Sequence, residues 1–163
     1  MTRLRATVLL CGLCLASSSA WAQTPGAAET EFLVAITGSN GATRVEHSNI
    51  VPLIPGRVCY EWRIRLTPGD RLVSAREVFE LPATPALWGG VDGDDYSSSK
   101  LSKDRKISET TMFYRPKDGW IEHGWCVAEG DPAGPYSIKV YVGEQLLHAF
   151  NFNAETMPGS DAQ

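Results

Sequence analysis

The sequence predicts an all-β fold, an antiparallel β-sandwich of about seven or eight short strands, set behind a cleaved signal peptide. Three observations carry this. In Arg57–Leu66, the apolar Val58, Tyr60, Trp62, Ile64 and Leu66 alternate with Cys59, Glu61, Arg63 and Arg65, which gives a strand one buried and one solvated face. Near the end of the chain, the runs Tyr136–Val142 and Leu146–Phe152 flank Gly143-Glu144, a glycine-first pair that signals a type II′ hairpin. Between residues 23 and 163 no helix-period stretch of convincing length appears, and no internal repeat.

The first 22 residues read as an export signal. Arg3 and Arg5 give a basic start, Ala6–Ala16 is an apolar core, and Ala20-Trp21-Ala22 supplies the small residues of a cleavage site before Gln23. The apolar run is too short for a membrane span, which takes about 20 residues. Cleavage removes two of the fifteen basic residues and none of the nineteen acidic ones, so the mature chain carries a net charge of −6. That balance argues against nucleic acid and anionic membrane surfaces as partners. Cys11 and Cys14 leave with the signal. Leucines precede both, where an acylated cysteine needs a small residue. No later stretch is long enough to span a membrane, and the mature length suits one domain.

Residues 23–30 are small and polar and read as a flexible lead-in to a sandwich domain over 31–152. Phe32–Thr37 is the first strand and Thr43–Val51 a weaker second. After Arg57–Leu66, Pro68-Gly69-Asp70 makes a turn. Leu72–Leu81 follows, with Val73, Ala75, Glu77, Phe79 and Leu81 mostly in phase. Residues 82–106 break the pattern with prolines, Gly89-Gly90, a serine run and mixed charge. A loop of that length is uncommon and tends to be functional or disordered. Ile107–Tyr114 and Trp120–Val127 resume the strands, and 153–163 is a polar tail expected to be disordered.

Ile54-Pro55, Tyr60-x-Trp62-Arg63, the Pro82 region and the closing segment from Gly134-Pro135-Tyr136 to Phe152 resemble an uncharacterised group of small exported bacterial proteins with an immunoglobulin-like sandwich. The resemblance covers roughly residues 36–152 and implies that fold. The group has no established activity, so it lends no functional residue.

In an exported chain, Cys59 and Cys126 are expected to form a disulfide, the alternative being two free thiols. Closing so long a loop stabilises by roughly 4 kcal/mol in the chain-entropy model. Cys59 is in phase with Glu61 and Arg63, and Cys126 with Glu122 and Gly124. Both therefore belong to outward faces, and the bridge should join neighbouring strands of one sheet. Antibody-type domains carry Tyr two residues before the second cysteine. Gly124 stands there, so the expectation is an immunoglobulin-like shape without antibody anatomy.

Candidate chemistry is sparse. Asp92-Gly93-Asp94-Asp95 offers oxygen ligands, but Ser97 and Lys103 stand where a calcium loop needs glycine and glutamate. A solvated acidic turn is the plainer reading. His47, His123 and His148 are scattered, and no metal or cofactor is expected. No Gly-x-Ser-x-Gly elbow occurs, Ser137 has no histidine nearby in sequence, and no carboxylate pair stands out. An enzyme would have to assemble Glu122, His123 or Asp side chains in a pocket. Trp62 and Trp125 fall on apolar faces and read as core. Trp88, in the long loop, either anchors a partner or plugs the sandwich end. Trp120, at a strand start, is ambiguous.

The expected function is a non-enzymatic, exported interaction module of the bacterial envelope. It would bind another envelope or extracellular protein through a strand edge or the 82–106 loop. Trp88, Asp92, Asp94, Asp95 and Tyr96 form the candidate binding loop. A second class is a carbohydrate- or small-ligand-binding domain that uses Trp88, Tyr96 and Trp120. An enzyme is the third class.

Overall fold

A computed structural model describes residues 25–67, 71–88 and 97–157. The signal segment, the turn at 68–70, residues 89–96 and the chain beyond 157 lie outside the described residues. Among the described residues all regular secondary structure is strand: β1 (Gly26–Thr37), β2 (Thr43–His47), β3 (Ile50–Pro52), β4 (Val58–Thr67), β5 (Val73–Glu80), β6 (Ser97–Leu101), β7 (Ile107–Tyr114), β8 (Trp120–Cys126), β9 (Gly134–Val142) and β10 (Gln145–Glu155). They form two sheets, β2-β1-β4-β8 and β3-β10-β9-β5-β7-β6. No helix among them is long and apolar enough to cross a membrane.

Ten strands replace the seven or eight expected, and the outer strands run longer, for three local reasons. The single run Thr43–Val51 divides: β2 pairs with β1 in one sheet, and β3 runs parallel to β10 in the other. This parallel pair is the exception to antiparallel order. Between them, Ser48 Oγ accepts from Ile50 N at 3.0 Å and donates to Ile50 O at 2.9 Å, which turns the chain from sheet to sheet. Second, Ser97–Leu101, inside the expected long loop, pairs with β7 as β6. Third, the outer ends lengthen. β1 begins at Gly26, within the expected flexible lead-in, because Gly26–Glu29 pair with Arg65–Thr67 of β4. β10 continues to Glu155, into the expected tail, held by β9 and β3. Backbone pairing drives these extensions, and side-chain composition gives little sign of it.

Alternation holds where the pattern is clearest. Val58, Tyr60, Trp62, Ile64 and Leu66 are all buried, as are Val73, Ala75, Glu77 and Phe79 of β5. From β9 and β10, Ile138, Val140, Phe150 and Phe152 complete the core. Burial of each large apolar side chain contributes roughly 1.5–3 kcal/mol. Gly143 takes a positive φ of 57° in the two-residue turn, as the hairpin signal requires. A register shift between Leu146 and His148 breaks strict alternation in β10. Leu146 is exposed, Leu147 packs on the core, and His148 is half-buried with its ring 4.5 Å from Phe150.

Cys59 and Cys126 are directly opposed across β4 and β8, with Cα atoms 3.9 Å apart, and form the disulfide. It lies on the outer side of the smaller sheet, as strand phase requires, and the antibody-type bridge through the core is absent. A tyrosine-corner contact does occur elsewhere: Tyr136 O–H, near the start of β9, donates to Pro132 O at 2.8 Å.

The sheets are unequal. The smaller ends at β8, whose Trp125 faces Phe79 of β5 at 5.3 Å. Past β5 the larger sheet continues to β7 and β6. Residues 81–88 border the open side that results. They are stitched down by Leu81 N–H to Lys106 O (3.0 Å), Thr84 Oγ1–H to Asp104 O (2.7 Å) and Ala86 N–H to Gly130 O (3.3 Å). At Gly130 even a Cβ would stand 2.5 Å from Ala86, so the two loops require that glycine.

Candidate functional site

β5 points one charged side chain into the sandwich. Glu77 shares the inward register of Ala75 and Phe79 and is 1% exposed. A buried carboxylate costs several kcal/mol unless hydrogen bonds replace its water. Three donors from the opposite sheet do so. Oε2 accepts from Trp62 Nε1–H of β4 and lies 3.1 Å from His123 Nδ1 of β8; Oε1 accepts from Trp125 Nε1–H at 3.1 Å. Indole nitrogens only donate, and buried ones need an acceptor. One carboxylate therefore satisfies two tryptophans and binds the sheets together.

The cluster also orients His123. With the carboxylate accepting, Nδ1 carries the proton, and Nε2 lies on the far side of the ring. Among the described residues none meets Nε2. His123 lines a cleft of about 350 Å³ between the edge strand β8, the inner faces of β6 and β7, and residues 81–88. Aromatic rings form much of its wall: Tyr60, Phe79, Trp88, Trp125 and Tyr136. Ser97, Ser99 and Thr110 add hydroxyls from β6 and β7, and Ser99 and Thr110 lie 2.9 Å apart through their oxygens. Asp131 adds a carboxylate whose Oδ2 accepts from Ala128 N–H at 2.8 Å.

Burial raises the pKa of Asp131, against the pull of that hydrogen bond. Burial also raises Tyr60 well above its ordinary value, helped by Tyr136 and by the charges of Asp131 and Glu77. Tyr136 is raised by burial and then by Asp131, and Tyr114 by burial and then by Glu77 and Glu122. Burial is the main cause at each phenol, and neighbouring carboxylates add to it.

The expected site residues are sorted by this geometry. Trp88 is 7% exposed, so it is a plug and not an exposed anchor on a loop. Its Nε1–H donates to Arg105 O at 2.6 Å and its ring meets Phe79 and Trp125 edge-on. It still lines the cleft. Asp92, Asp94, Asp95 and Tyr96 lie outside the described residues. Trp120 is on the outer face of the smaller sheet, with the Arg63 guanidinium 5.0 Å from its ring centre. Trp88 and Trp120 therefore share no platform.

Glu122 and His123 part because neighbours on a strand point to opposite faces. Glu122 meets Arg63 outside at 3.0 Å, and His123 turns inward. His47 and His148 line a different depression, and no group of three possible metal ligands occurs among the described residues. Glu77 is the residue that sequence reasoning passed over. Its signal was present, a glutamate in the apolar register of a strand.

Residues 30–155 match the model of the PM0630 β-sandwich domain. The chain belongs to the PM0630 β-sandwich family. Among solved structures, this family member is similar to an immunoglobulin-like protein from Pseudomonas aeruginosa, with a TM-score of 0.51 and 13% identity over 82% of this chain and 98% of that one. At that identity the likeness shows the fold alone. No curated protein matches the chain.

Proposed function

We propose that this PM0630-family protein is an exported binding module of the bacterial envelope, without chemistry of its own, that seats a partner protein in the cleft beside β8 and β6. One observation carries the reading: the inequality of the sheets. It leaves two strand edges flanking an aromatic cleft that a buried carboxylate organises. An extended segment can add to a sheet edge through its backbone and drop alternate side chains into adjoining pockets. Export is supported by the residue pattern of 1–22 and by the disulfide.

The test is affinity recovery of tagged mature protein from its own envelope after mild cross-linking. Deleting the long loop would remove β6 and the Trp88 plug, so point changes are cleaner. Ser99→Trp fills the cleft from β6, whereas Val45→Arg alters the exposed outer face of β2. Partners lost with Ser99→Trp and kept with Val45→Arg support the reading. Partners kept with a folded Ser99→Trp protein overturn it.

A further inference from the structure

We propose that the cleft receives an alkylammonium group, the side chain of a lysine on the partner protein. This rests on the reading of the cleft as the partner site and adds what it recognises. Among the described residues, the cleft is lined by carboxylate and hydroxyl oxygens and aromatic rings, with no lysine or arginine side chain. His123 is fixed by Glu77 with Nε2 on the side away from that carboxylate, Asp131 supplies charge, and Ser99 and Thr110 supply hydroxyl oxygens. Five aromatic side chains surround them, and a cation near aromatic rings gains from their quadrupoles, more so when water is excluded.

On the rim, Leu87 is 63% exposed beside Pro85, an apolar entrance that suits the methylene stem of a lysine.

The probe is n-butylammonium, with 1-butanol as its neutral analogue and butyrate as its anionic one. Binding is followed by NMR of the Trp88 and Trp125 indole N–H and His123 ring signals. Butylammonium should shift these signals saturably, with 1-butanol at least about tenfold weaker and butyrate silent. Asp131→Asn should weaken butylammonium by about threefold to tenfold, and Ser99→Trp should abolish the shifts. Indole N–H signals at their native positions without ligand show that each variant is folded.

Equal binding of 1-butanol, or no saturable shift in the native protein, overturns the proposal. Acetylating the lysines of the envelope extract before capture separates this inference from the function it rests on. Capture lost on acetylation supports both. Capture that survives acetylation but fails with Ser99→Trp sinks the lysine and spares the cleft. Capture that survives Ser99→Trp sinks the cleft reading itself.

Discussion

Where β1 and β4 face β10, the interior is aromatic and dry. Phe32 stacks on Phe152 at 4.7 Å, and Tyr60 meets Phe152 at 5.0 Å. Where β8 faces β5, the interior holds Glu77, His123 and the nitrogens of Trp62 and Trp125. Trp62 belongs to both, since its ring also stacks on Phe150 at 6.3 Å. The first side is closed by matching strands. The second is the side on which one sheet outruns the other. A mismatched edge cannot be sealed with hydrocarbon alone, and polar groups there must find partners in the opposite sheet or face the cleft.

The sharpest way to break this comparison is Glu77→Ala. It strips one buried and two partly buried donors of their acceptor and should cost roughly 3–5 kcal/mol in urea unfolding, as much as a large-to-small change such as Phe150→Ala on the dry side. A cost below about 1 kcal/mol would mean that the carboxylate does not organise the open side. Replacing both Cys59 and Cys126 by alanine comes next, at roughly 2–4 kcal/mol for a bridge spanning 67 positions in sequence. Because it ties the edge strand β8 to β4, hydrogen exchange should rise first in β8 and leave β9 and β10 protected.

Trp88→Phe keeps most of the plug and leaves the Arg105 carbonyl without its indole donor. A loss of about 1–2 kcal/mol is expected, with the 81–88 segment loosening before the core. The smallest effect belongs to Asp131. Its folded-state pKa is raised by burial, so the native protein holds that proton more tightly than the unfolded chain does. Stability should therefore rise as pH falls from neutral through the raised value towards the ordinary carboxylate range. Asp131→Asn should remove that component and stabilise the protein at neutral pH by less than about 1 kcal/mol, read as a slightly higher melting temperature. A lower melting temperature for this variant would show that the charge contributes more than its burial costs.

The buried positions of β4 and β5 were legible in the sequence because a strand that packs on one face writes period two into its residues. The outward placement of Cys59 and Cys126 followed from the same phase. The split of β2 from β3 was not legible, since Ser48-Asn49 carries no breaker strong enough to announce a change of sheet. Nor was β6: Ser97-Ser98-Ser99 has the composition of a loop and becomes a strand because β7 offers it a partner. At the site, phase put Glu122 on the outward face with Cys126. What it lacked was the partner of His123, which lies 46 positions away in the opposite sheet.

The sequence by itself determined the all-β class, the strand faces and the cysteine pairing across one sheet. These follow from local alternation, which each strand carries within itself. Only the tertiary structure decided that Glu77, Trp62, Trp125 and His123 meet, that Trp88 is buried, and that a cleft opens beside β8. Those depend on which strands face each other and on four strands packing against six, and no local pattern encodes a distance between sheets.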